Sequence, residues 1–181
     1  EAVGQGGWRP LMLSAYNGHE ATLEVLLRAG ALVDARKDDD FTALLLASDR
    51  GHERMVQMLI AAGAGVNARG VNGWTALMLA CARGSDAVAR LLLQAGAAVD
   101  ARTDNEGWTS LIIAVENHHT ELLKNLIEHG ASPNVHPTSG MSAIMRVCDR
   151  GDVEGARLLL DAGACAKCAD SGGGAPLLLS P

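Results

Sequence analysis

The stretch "GWTALMLACARG", residues 73–84, sets a Thr ahead of an apolar run and closes that run with an Arg-Gly pair. The Thr75 hydroxyl is placed to cap the open N–H groups of a helix, and Gly84 supplies the left-handed turn that ends one. Between them Leu77, Met78, Leu79, Ala80 and Cys81 are apolar nearly all round, so the helix they form has to be sandwiched between neighbours. Trp74 stands just before the cap, where no core argument requires it.

Nearly the same words return along the chain: "GWRPLMLSAYNG" from Gly7, "DFTALLLASDRG" from Asp40, "GWTSLIIAVENH" from Gly107 and "GMSAIMRVCDRG" from Gly140. Aligned on Trp8, Phe41, Trp74, Trp108 and Met141, the copies are spaced by 33, 33, 34 and 33 residues, the extra one lying in "RTDNEG". Gly30, Gly63, Gly96, Gly130 and Gly163 keep the same period. Self-similarity of this length is the mark of stacked supersecondary units.

Each copy carries the same local signals. Thr42, Thr109 and Ser142 repeat the cap position of Thr75, while Pro10 and Pro176 sit where a first helical turn tolerates proline. Gly18, Gly51 and Gly151 repeat the turn of Gly84. A second helix follows, with Val88, Leu91, Leu92 and Ala95 on one stripe. The polar segment "AAVDARTDNEG" and its counterparts then return the chain to the next copy, and predict a β-hairpin finger. Two short helices bury too little apolar surface to offset the ordering of 33 residues, so each unit needs its neighbours and the chain builds a linear stack.

Composition narrows the class. Of the 181 residues, 48% are hydrophobic and 20% charged, which suits a folded chain rather than a disordered one. A net charge of -6 argues against a general nucleic-acid binder, because phosphate neutralisation needs clustered Lys and Arg. Gly, Arg or Asp interrupts every Leu-rich stretch before it reaches membrane-spanning length. The start "EAVGQGG" lacks the order of a signal peptide, and "GGAPLLLSP" begins a sixth copy, so the expectation is a fragment of a longer polypeptide, intracellular in the cytoplasm or nucleus.

Cys81 and Cys148 share one repeat position with Ala15, Ser48 and Val115 and read as small core residues. Cys165 and Cys168 form a CxxC, but no second CxxC or HxxxH accompanies them, so neither metal binding nor a disulfide framework is expected. Asp38, Asp39 and Asp40 lack the EF-hand spacing and read as a solvated finger tip. GxxxxGK[ST], GxSxG and HExxH are all missing, and no cofactor or catalytic role is expected.

The segments "TALLLASDRGHERMVQMLIAAGAGVNAR" at 42–69 and "TALMLACARGSDAVARLLLQAGAAVDAR" at 75–102 resemble the ankyrin repeat family, and the likeness extends over residues 7–181. The resemblance implies an all-α repeat solenoid of paired antiparallel helices with β-hairpin fingers. A single domain over 1–181 would hold repeats at about 7–36, 37–69, 70–102, 103–135 and 136–168, with a partial one at 169–181. The chain departs from the family at several points. Met12, Leu45, Met78, Ile112 and Met145 replace the family's His in its Thr-Pro-Leu-His word, so apolar packing is expected in place of that residue's hydrogen bonds. His118 stands where the other complete copies have Gly, and Asn125 replaces an apolar residue, so the fourth unit is expected to be the least stable joint. His19 and His52 match a family His that ties neighbouring loops; His118 and His119 are read the same way rather than as a base pair.

In the resembled fold the position before the first helix and the end of that helix face the concave side. That would range Trp8, Phe41, Trp74, Trp108 and Met141 as a ladder along a groove, with Tyr16 beside it. The rings are either filler between fingers or anchors for a partner, and the sequence leaves both open. Arg36, Arg69, Arg102 and His136 are expected at the finger bases; Arg50, Arg83 and Arg150 at first-helix ends, interspersed with Asp49, Glu116 and Asp149. Mixed signs suit a protein or peptide face better than a polyanion. The leading expectation is therefore a monomeric, non-catalytic protein-protein interaction module working through the groove. The alternatives are a methyl-lysine or small-ligand sensor, with Trp74, Trp108 and Glu116 as a cage, and a regulatory spacer within a larger enzyme or channel.

Overall fold

The computed structural model describes residues 4–138 and 140–167. Ten α-helices lie among them: α1 (Pro10–Asn17), α2 (Glu20–Arg28), α3 (Ala43–Arg50), α4 (Glu53–Ala61), α5 (Ala76–Arg83), α6 (Asp86–Gln94), α7 (Ser110–Glu116), α8 (Thr120–Glu128), α9 (Ala143–Asp149) and α10 (Val153–Asp161). The chain divides into two compact units, Glu1–Ala98 and Val99–Pro181, so α1–α6 belong to the first and α7–α10 to the second.

In each unit the helices come in antiparallel pairs, and successive pairs stack. The first helices pack directly on one another, α1 on α3 and α3 on α5 in unit 1, and α7 on α9 in unit 2. They are accordingly buried nearly all round: in α5 every residue from Ala76 to Cys81 is inaccessible or close to it. The second helices bury one stripe only, such as Val88, Ala89, Leu92 and Leu93 in α6. Met12, Leu45, Met78, Ile112 and Met145 all lie in the core, at 8% exposure or less, so apolar packing does occupy the position at which the family carries its His.

Caps form at three of the four expected places. Thr42, Thr75 and Thr109 accept from the N–H of Leu45, Met78 and Ile112 at 3.3–3.4 Å. Ser142 does not cap: its hydroxyl is buried without a hydrogen-bond partner. Pro10 occupies the first turn of α1, and Pro176 lies outside the described residues. Gly84 ends α5 at φ 73°, and His118 takes the same left-handed conformation at φ 58°, despite its β-carbon.

The expected β-hairpin fingers are shorter than hairpins. Among the described residues no strand forms, and the one isolated bridge pairs Arg69 with Thr75. Each finger is instead a tight reversal closed on the aromatic position itself: the N–H groups of Lys37, Gly70 and Thr103 donate to the carbonyls of Phe41, Trp74 and Trp108 at 3.1, 2.8 and 3.0 Å. Asp40, Gly73 and Gly107 take positive φ just ahead of the aromatic position in these reversals.

Successive repeats are also laced by one recurring side chain. Asp34, Asn67, Asp100 and Asn134 accept from the backbone N–H of Gly65, Ala98, Ser132 and Cys165, each in the following repeat, at 2.7–3.0 Å. The two asparagines also donate, Asn67 to the Gly96 carbonyl and Asn134 to that of Gly163. His52 adds a tie at the turns, its Nε2 lying 3.2 Å from the carbonyl oxygen of Tyr16.

Candidate functional site

In unit 1 the residues ahead of the first helices, Trp8, Phe41 and Trp74, are all half-buried, as is Tyr16 near the end of α1. Three of these four rings are engaged by the protein's own cations. The Lys37 ammonium lies 5.3 Å from the Trp8 ring centroid and 5.7 Å from that of Phe41. The Arg50 guanidinium stacks 3.9 Å from the Tyr16 centroid, and Tyr16 meets Trp8 edge-on at 5.5 Å. Phe41 further covers the backbone of the next finger, since a β-carbon on Gly70 would come 3.0 Å from its ring. These rings therefore pack repeat against repeat.

Trp74 differs. Among the described residues no cation lies over its ring and no other aromatic ring meets it. It follows directly on the short 3-10 turn Val71–Gly73, where Val71 is 45% exposed, so an exposed aliphatic and a half-exposed indole share one turn. Elsewhere in unit 1, at the ends of α3 and α5 and along the fingers, the charged groups are of both signs. Arg83 pairs with Asp49 at 3.4 Å, and Arg50 also approaches Asp49, at 4.0 Å. Arg36 donates to the Arg69 carbonyl at 3.1 Å and to Asp40 at 3.3 Å, so this finger-base arginine is tied into the fingers rather than held out from them.

In unit 2 Trp108 and Met141 are half-buried, and Arg102 and His136 are exposed. The Trp108 face carries the Arg146 guanidinium at 5.0 Å, and its Nε1 is buried without a hydrogen-bond partner. Glu116 pairs with both Arg146 and Arg150. Burial and the neighbouring Arg150 charge lower the pKa of Arg146, against an opposing effect of Glu106; it stays charged. The carboxylate and the ring that a methylammonium cage would need on this side are thus already bound to guanidinium groups.

Two residues that arrange this chemistry, Lys37 and Arg146, were not among the site residues expected from the sequence. Lys37 follows the finger-base Arg36 and looks like one more solvated charge. Arg146 was legible, because it stands in the register that elsewhere holds Leu13, Leu46, Leu79 and Ile113.

Elsewhere little points to chemistry. A cleft of about 500 Å³ opens near the turns of the first two repeats, lined by Glu20, His52, Glu53 and Arg54 among others, and includes none of the aromatic row. Among the described residues no group of three or more His, Cys, Asp or Glu is arranged to hold a metal ion, and no helix is long and apolar enough to cross a membrane. Cys81 and Cys148 are reduced; burial pushes the Cys148 thiol up. Cys165, expected outside any disulfide, is disulfide-bonded, while Cys168 lies outside the described residues.

Comparison with known proteins agrees with this architecture. No curated protein matches the chain. A family model described as "Ankyrin repeats (3 copies)" matches residues 2–70 and 62–137, well over half of the 181 residues. With its 33-residue period, stacked helix pairs and closed fingers, the chain belongs to the ankyrin repeat family.

Proposed function

We propose that this chain takes a protein partner on the face shared by its fingers and first helices, with Trp74 and Val71 as the apolar anchor. Ankyrin repeats are in general protein-protein interaction modules and are typically non-catalytic. One observation carries the choice of anchor: of the aromatic positions, Trp74 has no cation over its ring among the described residues, and it shares its turn with an exposed valine. A large ring held by a closed turn loses little freedom on binding, which favours it as a hot spot. Asp49 and Arg83 supply charges of both signs at the end of the adjoining helices, fitting a protein or peptide better than a polyanion.

The test places a photo-crosslinking amino acid at Val71 and, separately, at Val25 on α2, then measures the identified partner against purified variants. Crosslinking from Val71 alone, with a ten-fold or greater loss of affinity in Trp74→Ala at unchanged thermal stability, is the expected result; ten-fold corresponds to about 1.4 kcal/mol. A folded Trp74→Ala that binds the partner undiminished removes the anchor.

A further inference from the structure

The joint between the fourth and fifth repeats, inside unit 2, carries charge in a register where the joints of unit 1 carry leucine. Leu13, in the first helix of the first repeat, is 47% exposed, whereas Leu46 and Leu79, one and two repeats on, are 5% and 8% exposed. This register therefore looks toward the preceding repeat. In the fifth repeat it holds Arg146, which is 9% exposed.

Arg146 makes its contacts with the preceding repeat: it pairs with Glu116 and lies over Trp108, while its Nε donates to the Met141 carbonyl at 3.2 Å. Arg150 binds the same carboxylate and donates to the carbonyls of Val115 and Glu116 at 3.1 and 2.9 Å. Those are the last carbonyls of α7, a helix that ends without a glycine, so the same arginine also closes α7. In the same two repeats Trp108 Nε1, Ser110 Oγ and Ser142 Oγ are buried without hydrogen-bond partners, against Ser48 Oγ in unit 1. Each such group weakens the closed state relative to an open one in which water reaches it.

We propose that this joint is a salt-dependent hinge, at which the fifth repeat parts from the fourth before the leucine-packed joints of unit 1 yield. The physical reason is the replacement of a non-directional, salt-insensitive contact by two charged groups taken largely out of water, Arg146 and Glu116, joined by the more exposed Arg150. Removing one member of such a network leaves its buried partners uncompensated and is strongly destabilising, whereas apolar residues in place of the paired members together commonly hold as well or better. Once open, the ions are hydrated and screened, and a lone repeat keeps little structure by itself.

Amide hydrogen exchange on the whole chain, read by mass spectrometry, separates the joints. Raising NaCl from about 0.05 M to about 1 M, where the screening length falls to roughly 3 Å, should speed exchange in α9 and α10 about ten-fold relative to α3 and α5. Glu116→Gln at low salt should open α9 and α10 by about two orders of magnitude. Arg146→Leu combined with Glu116→Gln, which removes the ion pairs together and restores an apolar residue at the register of the other repeats, should abolish the salt response and leave α9 better protected than in Glu116→Gln alone. The inference fails if all joints respond equally to salt in the unaltered chain, if the double variant retains the response, or if Glu116→Gln leaves α9 as protected as before.

Discussion

The ammonium of Lys37 stands 5.3 Å from the ring centroid of Trp8, across the boundary between the first and second repeats. The same nitrogen faces Phe41 at 5.7 Å and pairs with Asp39, and the lysine side chain is only 13% exposed. One cation thus joins the aromatic positions of two repeats. Its removal should be felt as instability rather than as lost solubility.

Lys37→Met keeps the apolar stem and deletes the charge; it should lower the stability of the chain by about 1–2 kcal/mol in urea denaturation, while Lys37→Arg should retain most of it. A Lys37→Met chain as stable as the parent would show that the rings pack without the cation.

Asp39 makes the clamp pH-dependent. Burial by itself would raise its pKa, but the hydrogen bond and charge of Lys37, with the Phe41 N–H, outweigh burial and hold the carboxyl below its ordinary value. A carboxyl with a lower pKa in the folded state adds stability above its unfolded value of about 3.9 and loses it as pH falls through the folded value. Thermal unfolding followed from pH 7 into the acid range should therefore fall less steeply below about pH 4 in Asp39→Asn than in the parent. Parallel curves would assign the acid loss to other carboxylates.

Asn67 is the second kind of repeat-to-repeat link. It accepts from the Ala98 N–H at 2.7 Å and donates to the Gly96 carbonyl at 3.1 Å, so Asn67→Ala removes two hydrogen bonds at an exposed site. The expected cost is about 1–2 kcal/mol. Asn67→Asp, which restores the acceptor found at Asp34 and Asp100, should recover roughly half of it. Urea midpoints of the two variants check the order; equal losses would mean that the donor half of the link carries the stability.

The period, helix pairs and caps were legible because each is written in a few adjacent residues: Thr75 bonds Met78, three positions on, and Gly84 takes the turn its lack of a β-carbon allows. Ser142 shows the limit, since the same local signal ends in a buried hydroxyl with no partner once the fifth finger and helix pack. The fingers were read as hairpins because turn residues mark a reversal but not how far pairing runs beyond it. The site was legible in position and not in occupancy. Trp8 is easily found, but the cation over its ring comes from Lys37, 29 residues later, and only the stacking of repeats brings them together.

His118 carries a strain that a single substitution relieves. At φ 58° it occupies the turn that Gly18, Gly51 and Gly84 take at 71–76°, and it is exposed, so its side chain has little packing to lose. His118→Gly should stabilise the chain by about 1 kcal/mol, the left-handed penalty less the extra freedom glycine gains on unfolding. Gly84→Ala, the reverse change at an equivalent turn, should destabilise by a similar amount. Denaturant midpoints moving in opposite directions are the expected outcome, and a His118→Gly shift toward lower denaturant would mean that the imidazole makes a compensating contact.

The pair of Arg83 and Asp49 is held loosely enough to be exchanged for a partner's charges. Its separation is 3.4 Å, and the two side chains are 51% and 30% exposed, so solvent and salt screen it. A double-mutant cycle of Arg83→Ala and Asp49→Ala should give a coupling below about 1 kcal/mol for folding. If the face near Trp74 receives a partner, the same two substitutions should change its association rate, and the change should shrink as salt rises, because exposed charges act mainly by steering encounter. Association rates measured at several NaCl concentrations distinguish this from a fixed structural pair, which would register in the folding cycle and leave the rates alone.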